Sequence, residues 1–166
     1  MNHSTLTRWT LISNLVLFSL FSPALSSAEP AKDFSLPGVD NTTVNLKDFH
    51  GKVVYLDFWA SWCGPCRKSF PWMDDLQARY LEQDFMIVAV NLDSSMEDAE
   101  DFLLDNPVEF LVAFDPDGIT PEAYNVKGMP SSFLINREGE IVKRHAGFNS
   151  SYEKELEQAL IETLEK

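Results

Sequence analysis

Cysteine and histidine, the side chains that most often bind transition metals, are scarce in this sequence. The 166 residues include two cysteines, Cys63 and Cys66, and three histidines. A closed zinc site needs four ligands, and neither His50 nor His145 lies beside the cysteines to help complete one. We therefore expect no metal and assign these histidines no function, with zinc kept as the structural alternative for the cysteine pair.

Basic residues are also few. Lysine and arginine number 13 against 26 aspartates and glutamates, which gives a formal net charge of −13. Proteins that bind nucleic acid neutralise its phosphates with lysine and arginine, so no nucleic-acid partner is expected. The acidic residues are spread along the chain instead of being gathered in one tail, and this distribution is typical of a soluble surface.

No apolar run is long enough to predict a membrane span, which needs about 20 residues. The stretch 11–21 is apolar but contains Ser and Asn, follows the single basic Arg8, and precedes small residues that end at Ala28. This is the pattern of a secretory signal peptide. We expect residues 1–28 to be cleaved after Ala28, which predicts an exported protein, periplasmic or otherwise extracytoplasmic. An uncleaved anchor is the alternative, and residues 29–166 form one domain.

The two cysteines are three positions apart. A structural disulfide stabilises a fold mainly by closing a long loop, so a bridge over so short a loop would contribute little. A redox centre explains the pair better.

Apolar segments alternate with helical patterns along the rest of the chain, without an internal repeat or a long linker. The predicted strands are 53–59, 85–92, 109–114, 132–136 and 140–144. The predicted helices are 66–80, 94–104 with a capping box from Ser94 and Glu97, 122–125, and a last helix capped by Ser150 and Glu153 with an apolar stripe of Tyr152, Leu156, Leu160 and Leu164. Together they predict an α/β fold, a sheet with helices on both faces.

Cys63-Gly64-Pro65-Cys66 directly follows the strand predicted at 53–59. The unpaired N–H groups and the dipole at a helix N-terminus stabilise a thiolate, so an exposed Cys63 is the expected nucleophile. Cys66, one turn further and more enclosed, is the expected resolving cysteine, which attacks the mixed disulfide on Cys63 and releases the reduced substrate.

The segment Trp62-Cys63-Gly64-Pro65-Cys66 resembles the active site of the thioredoxin superfamily, and its surroundings are similar to the TlpA/ResA branch. The likeness includes Pro71 in the active-site helix, the strand–helix unit around 85–104, and Gly128-Met129-Pro130 before a hairpin. It implies a thioredoxin-like fold with a central mixed β-sheet, in which 85–104 is the extra strand–helix insertion of that branch. It also implies a thiol-disulfide oxidoreductase without a cofactor other than the redox-active disulfide Cys63–Cys66.

The resemblance implies further roles. Asp57 stands where the resembling thioredoxins carry an acid that exchanges a proton with the resolving cysteine, and its burial should raise its pKa. An edge position, where Asp57 reaches water or a basic partner, is the alternative.

Met129-Pro130 resembles the cis-proline element of the family, which offers a backbone edge to an extended substrate segment. We expect substrate to contact this element and the residues around the first cysteine, Trp62, Gly64 and Pro65.

Ser69 departs from the pattern, because many members of the branch carry a glutamate there that is associated with cytochrome c maturation. A general reductase of protein disulfides is therefore the leading hypothesis, with cytochrome c maturation as a narrower role. The resemblance implies protein thiol or disulfide substrates and recharging by a membrane thiol carrier of the CcdA/DsbD kind. We expect a monomer. A disulfide-forming oxidase and a non-catalytic binding or assembly factor remain the alternatives.

Overall fold

The structure is a computed structural model and describes residues 29–166, so the predicted signal peptide lies outside the described residues. The strands are β1 Glu29–Pro30, β2 Ser35–Pro37, β3 Thr43–Asn45, β4 Val53–Trp59, β5 Phe85–Asn91, β6 Leu111–Phe114, β7 Ser131–Ile135 and β8 Glu140–Ala146. The helices are α1 Gly64–Tyr80, α2 Met96–Asp105, α3 Ile119–Ala123 and α4 Glu153–Leu164.

The main sheet has six strands in the order β1-β8-β7-β4-β5-β6. Strand β4 pairs in parallel with β5 and antiparallel with β7, so the sheet is mixed. All seven residues of β4 are buried. This confirms that the apolar segment 53–59 is a central strand covered on both faces, and it excludes the edge position considered for Asp57.

Alternate residues of β4 enter two different cores. Tyr55 and Trp59 belong to the core that lies beneath the helices α1, α2 and α4. Leu56 and Phe58 belong to the core on the opposite face, which is covered by the region of α3 and by the β2–β3 hairpin. Because successive side chains of a strand point to opposite faces, Asp57 lies on the same face as Tyr55 and Trp59.

Aromatic side chains join the active-site helix to the sheet. The Trp59 ring centroid lies 4.8 Å from that of Phe70 on α1 and 5.1 Å from that of Phe102 on α2. Phe70 also contacts Phe102 and Phe110 edge to face, at 5.4 Å in each case. Aromatic pairs of this kind contribute about 0.5–1.5 kcal/mol beyond the area that they bury. The cluster therefore fixes α1, and with it the cysteines, against the end of β4.

The strand–helix unit around 85–104 is present as β5 and α2, but the capping box predicted for α2 is wrong. The N-cap residue is Ser95, and it makes no side-chain capping hydrogen bond. Asp93, which follows β5, is held by hydrogen bonds with Asn91 and with Ser61 in the loop before Cys63. The chain therefore turns later than the Ser94 pattern predicts.

Helices α3 and α4 also begin at residues other than those predicted. Helix α3 begins at Ile119 instead of residue 122, because the Asp115 carboxylate accepts hydrogen bonds from the N–H groups of Ile119 and Thr120. The cap predicted from Ser150 and Glu153 is wrong as well. Asn149 bonds instead to the Ser151 backbone N–H at 2.9 Å in a local turn, and α4 begins only at Glu153.

The apolar patterns predict no element between 29 and 52, yet this segment forms β1 and the β2–β3 hairpin. These strands are two or three residues long, too short for alternation to reveal them. Within residues 29–166, no helix combines the length and apolar character needed to cross a bilayer.

Candidate active site

The two cysteines lie where β4 passes into α1, and they are bonded to each other. Their Cα atoms are 5.3 Å apart, inside the usual range for a disulfide. Cys63 is the N-cap residue of α1, and its Sγ accepts a hydrogen bond of 3.3 Å from the backbone N–H of Cys66. Pro65 occupies the first turn, where the missing N–H costs no helical bond. The nucleophile predicted from the sequence therefore stands at a helix N-terminus.

The exposure of Cys63 differs from the expectation. Cys63 is 5% exposed and Cys66 is completely buried, so both sulfur-bearing residues belong to the core. The disulfide bonds Cys63 to the buried Cys66. The expected order, with Cys66 the more enclosed of the two, is still observed.

The residues predicted to contact substrate differ in their exposure. Trp62 is 69% exposed, and Gly64 and Pro65 are exposed beside it. Met129 is half-buried and Pro130 is buried. The exposed Trp62 side chain and the Gly64-Pro65 turn therefore form the accessible surface beside Cys63.

The Met129–Pro130 peptide bond is cis, as the resemblance implied. Strand β7 begins directly after it, with Ser131 paired to Phe58 near the end of β4. The Pro130 carbonyl accepts a hydrogen bond of 2.8 Å from the Gly147 N–H. The register of β7 against β4 thus brings the proline to the end of the sheet that carries the disulfide.

Asp57 is 2% exposed and lies on the face of β4 that α1 covers. Its Oδ2 is buried and has no hydrogen-bond partner within residues 29–166. Burial raises the pKa of this carboxyl well above its ordinary value, because removal from water disfavours the charged form. Asp57 is therefore a buried acid whose protonated form is favoured by its surroundings.

A second buried carboxylate, which the sequence patterns do not predict, holds the loop before Cys63. The Asp93 side chain accepts hydrogen bonds from the Ser61 N–H at 2.8 Å, the Ser61 hydroxyl at 3.1 Å and the Asn91 amide at 2.7 Å. Ser61 is two residues before Cys63. We therefore regard Asp93 as a positioning residue of the site.

A signal for Asp93 was present in the sequence. Asn91 and Asp93 are polar residues at the end of a predicted buried strand, and the cysteines follow another such strand. Parallel neighbouring strands end at the same edge of a sheet, where functional groups gather in α/β folds. The pattern required the parallel pairing of β4 and β5 to be known before it could be interpreted.

Arg67 and Ser69 complete the hydrogen bonding around the cysteines. The Arg67 guanidinium donates to the Ser61 carbonyl at 3.1 and 2.8 Å from its Nε and Nη2. Ser69, at the position of the branch glutamate, is buried, and its hydroxyl donates to the Cys66 carbonyl at 2.8 Å. Ser69 therefore brings no second carboxylate to the buried side of the disulfide.

No three histidine, cysteine, aspartate or glutamate side chains in the described part of the chain are grouped as metal ligands. A mixed sheet with a bonded Cys-x-x-Cys pair at a strand-to-helix junction and a cis-proline beside it defines a thiol-disulfide oxidoreductase of the thioredoxin type.

Comparison with known proteins agrees with this class. The Redoxin family model matches residues 26–160. The chain is 32% identical over 143 residues to the thiol-disulfide oxidoreductase ResA of Bacillus cereus, covering 82% of this chain and 83% of ResA. It is 54% identical to a Chlorobium tepidum protein assigned as thiol:disulfide interchange protein DsbE, with a TM-score of 0.81 and coverage of 82% and 96%.

A third relative is the exposed lipoprotein thioredoxin Etrx1 of Streptococcus pneumoniae. It is 34% identical, with a TM-score of 0.70 and coverage of 79% of this chain and 99% of that structure. The chain belongs to the Redoxin family and is a TlpA/ResA-like member of the thioredoxin superfamily.

Proposed function

We propose that this protein reduces disulfides of other proteins in an extracytoplasmic compartment, with Cys63 as nucleophile and Cys66 as resolving cysteine. The observation that carries the proposal is the position of the pair. Cys63 caps α1, and the bonded Cys66 is buried on the face of the sheet that also holds Asp57.

The reaction follows from this order of burial. In the reduced protein, the Cys63 thiolate attacks a substrate disulfide, a bond forms between Cys63 and one substrate sulfur, and the other leaves as a thiolate. Cys66 then loses its proton and attacks the Cys63 sulfur, which closes the Cys63–Cys66 bridge and releases the second substrate sulfur. Two electrons pass from the protein to the substrate.

Asp57 is the proposed acceptor of the Cys66 proton. A carboxyl with a pKa raised by burial can exchange protons with a thiol, since the two groups then titrate closer together. Trp62, Gly64, Pro65 and the Met129–Pro130 element are the proposed substrate contacts.

The compartment is proposed from the N-terminal pattern. Residues 1–28 have the order of a signal peptide, and we propose cleavage after Ala28. The pneumococcal relative is an exposed lipoprotein. A reductase in an oxidising space must be recharged, and a membrane thiol carrier of the CcdA/DsbD kind is the partner that the family suggests.

General reduction is favoured over a role confined to cytochrome c maturation. Ser69 replaces the glutamate associated with that narrower role, and its hydroxyl is occupied by the Cys66 carbonyl. Asp57 is then the acid proposed to serve Cys66.

Reduction of insulin disulfides tests the proposal. The wild-type protein with a thiol reductant should reduce insulin, and Cys63→Ser should lose the activity. The matched variant Cys66→Ser should also lose turnover but accumulate a mixed disulfide on Cys63, because the resolving sulfur is absent. Activity that survives Cys63→Ser would contradict the catalytic role and favour a binding or assembly factor.

The direction of the reaction is tested by equilibrium with glutathione. Reference potentials are about −270 mV for thioredoxin and about −120 mV for DsbA. A reductase should lie nearer the thioredoxin value. A potential near that of DsbA would instead assign the protein as a disulfide-forming oxidase.

A further inference from the structure

Three polar side chains stand in one row across the centre of the sheet. Asp57 on β4 is paired with Ser132 on β7, and Ser132 is paired with His145 on β8. Directly opposed residues of antiparallel strands point to the same face, with Cβ atoms about 4.5–5.5 Å apart. The row therefore runs from the acid beneath the active-site helix to a histidine two strands away.

The row begins in the core and ends near the surface. Asp57 and Ser132 are buried, whereas His145 is half-buried. The His145 ring lies 4.5 Å, centroid to centroid, from the ring of Tyr152, which precedes α4. His145 is therefore held in place while part of it remains accessible to water.

Both ends of the row carry an unsatisfied polar atom. Within residues 29–166, buried side-chain oxygen and nitrogen atoms without a hydrogen-bond partner include Asp57 Oδ2 and His145 Nε2. Such atoms are uncommon in folded proteins, and each requires an explanation. Their position at the two ends of one three-residue row suggests a shared purpose.

The middle of the row can pass a proton. The Ser132 hydroxyl can donate and accept a hydrogen bond at the same time. A cavity of about 10 Å³, lined in part by Tyr55, Ser132 and His145, has room for roughly one water molecule. Burial, followed by the charge on Asp57, raises the pKa of the Tyr55 phenol, whereas an interaction with Ser132 opposes this shift. Tyr55 thus interacts with both buried members of the row, Asp57 and Ser132.

We propose that Ser132 and His145 form the route by which the proton released when Cys66 attacks passes from Asp57 to solvent. This inference rests on the proposed role of Asp57. The proton moves from Cys66 to Asp57, then to the Ser132 hydroxyl as that hydroxyl gives its own proton to His145, directly or through one water. His145 accepts at Nε2 and releases a proton from its other nitrogen. Only protons move along the row, and the disulfide exchange itself is unchanged.

The groups around His145 fit this role. Lys143, on the same face of β8, forms an ion pair of 2.7 Å with Glu155 of α4. The hydrogen bond from Lys143 is the main cause of the lowered pKa of Glu155, and the charge of His145 is a lesser one. Tyr152, from the segment before α4, packs against the His145 ring, and Tyr55 of β4 lines the same small cavity as His145. The charges of Lys143 and Glu155 therefore compensate each other beside His145.

A single-turnover reaction with an aromatic disulfide reagent, 5,5′-dithiobis(2-nitrobenzoate), separates the steps. The reduced protein should release one coloured thiolate when Cys63 attacks and a second when Cys66 resolves the mixed disulfide. The leaving thiolate is good, so proton removal from Cys66 should limit the second phase. We expect Ser132→Ala and His145→Ala to slow the second phase by about tenfold and leave the first unchanged. Added imidazole should restore the second phase in His145→Ala.

The controls separate this inference from the proposed function. His50→Phe changes a histidine at the opposite end of the sheet and should leave both phases unchanged. His145→Phe keeps a ring against Tyr152 and should still be slow, which excludes lost packing as the cause. If Asp57→Asn slows the second phase but Ser132→Ala and His145→Ala do not, the route is wrong and the role of Asp57 stands. If Asp57→Asn has no effect, the proposed role of Asp57 fails.

Discussion

Two buried aspartates lie near the end of the sheet that carries the disulfide. Asp57 is on β4, and Asp93 follows the adjacent strand β5. Their surroundings are opposite. Asp93 receives hydrogen bonds from Ser61 and Asn91, three in all from side chains and backbone. Asp57 is as deeply buried, but its Oδ2 has no partner within the described chain. The first arrangement stabilises a negative charge, and the second penalises one.

The difference shows that burial alone does not define a proton acceptor. A buried carboxylate with several donors is a structural anchor, since its charge is compensated. A buried carboxyl with an unpartnered oxygen has a pKa moved toward that of a thiol, and it can take part in proton transfer. The anchor holds the loop before Cys63, and the unpaired acid is the residue that we propose as the proton acceptor for Cys66.

The largest expected effect comes from removing the anchor. Asp93→Ala leaves the Ser61 N–H and the Asn91 amide without acceptors, so the free energy of unfolding should fall by about 3 kcal/mol. Urea unfolding of the oxidised protein measures this loss. Glu100→Ala, at an exposed acid on α2, is the matched control and should change stability by less than about 0.5 kcal/mol. Equal effects of the two variants would contradict an anchoring role.

A change of pH should have an intermediate effect on the free energy of unfolding, through Asp57. Below the ordinary pKa of 3.8, Asp57 holds its proton in both the folded and unfolded chain. As the pH rises above that value, the unfolded chain releases the proton while the folded chain keeps it. The folded state should therefore lose about 1.4 kcal/mol per pH unit until the raised pKa is reached.

Asp57→Asn removes this contribution. The stability of the variant minus that of the wild type, measured by urea unfolding of the oxidised proteins, should rise by about 1.8 kcal/mol between pH 4 and pH 5.5. A difference that stays constant over this range would show that the Asp57 carboxyl is compensated like Asp93.

The smallest expected effect concerns Arg67, which supports the same loop from the exposed side. Arg67→Gln removes two donors to the Ser61 carbonyl and a cation 5.5 Å from the Phe102 ring centroid. The loss should be about 0.5–1 kcal/mol in urea unfolding. Arg67→Lys keeps the charge but not the two guanidinium donors, and it should recover part of the lost stability. A loss as large as that of Asp93→Ala would mean that the exposed bonds, not the buried ones, hold the loop.

Local patterns predicted the elements that bury apolar residues continuously. The segment 53–59 is a strand over its full predicted length, and the stripe that contains Leu156 and Leu160 is the buried side of α4. The predictions failed where serine offered several equivalent starts for a helix. The N-cap of α2 was set by the bonds of Asp93, and the start of α4 by a turn at Asn149.

The cysteines, Asp57 and the cis-proline could be located from the sequence because they carry a contiguous motif or interrupt an apolar strand. Asp93 and His145 could not. The partner of Asp93 is 32 residues away, and His145 is linked to Asp57 only through the register of two antiparallel pairs. Such relations depend on strand order and register, which hydrophobic periodicity does not specify.

The first described strand has a practical consequence. Glu29 is paired with Ile141, and Ile141 is in turn paired with Ile135, which lies opposite Val54 near the start of β4. That row is four residues, about 13 Å, from Phe58 at the other end of the strand. An affinity handle or surface tether joined at Glu29 should therefore leave the disulfide facing outward, free to meet large clients.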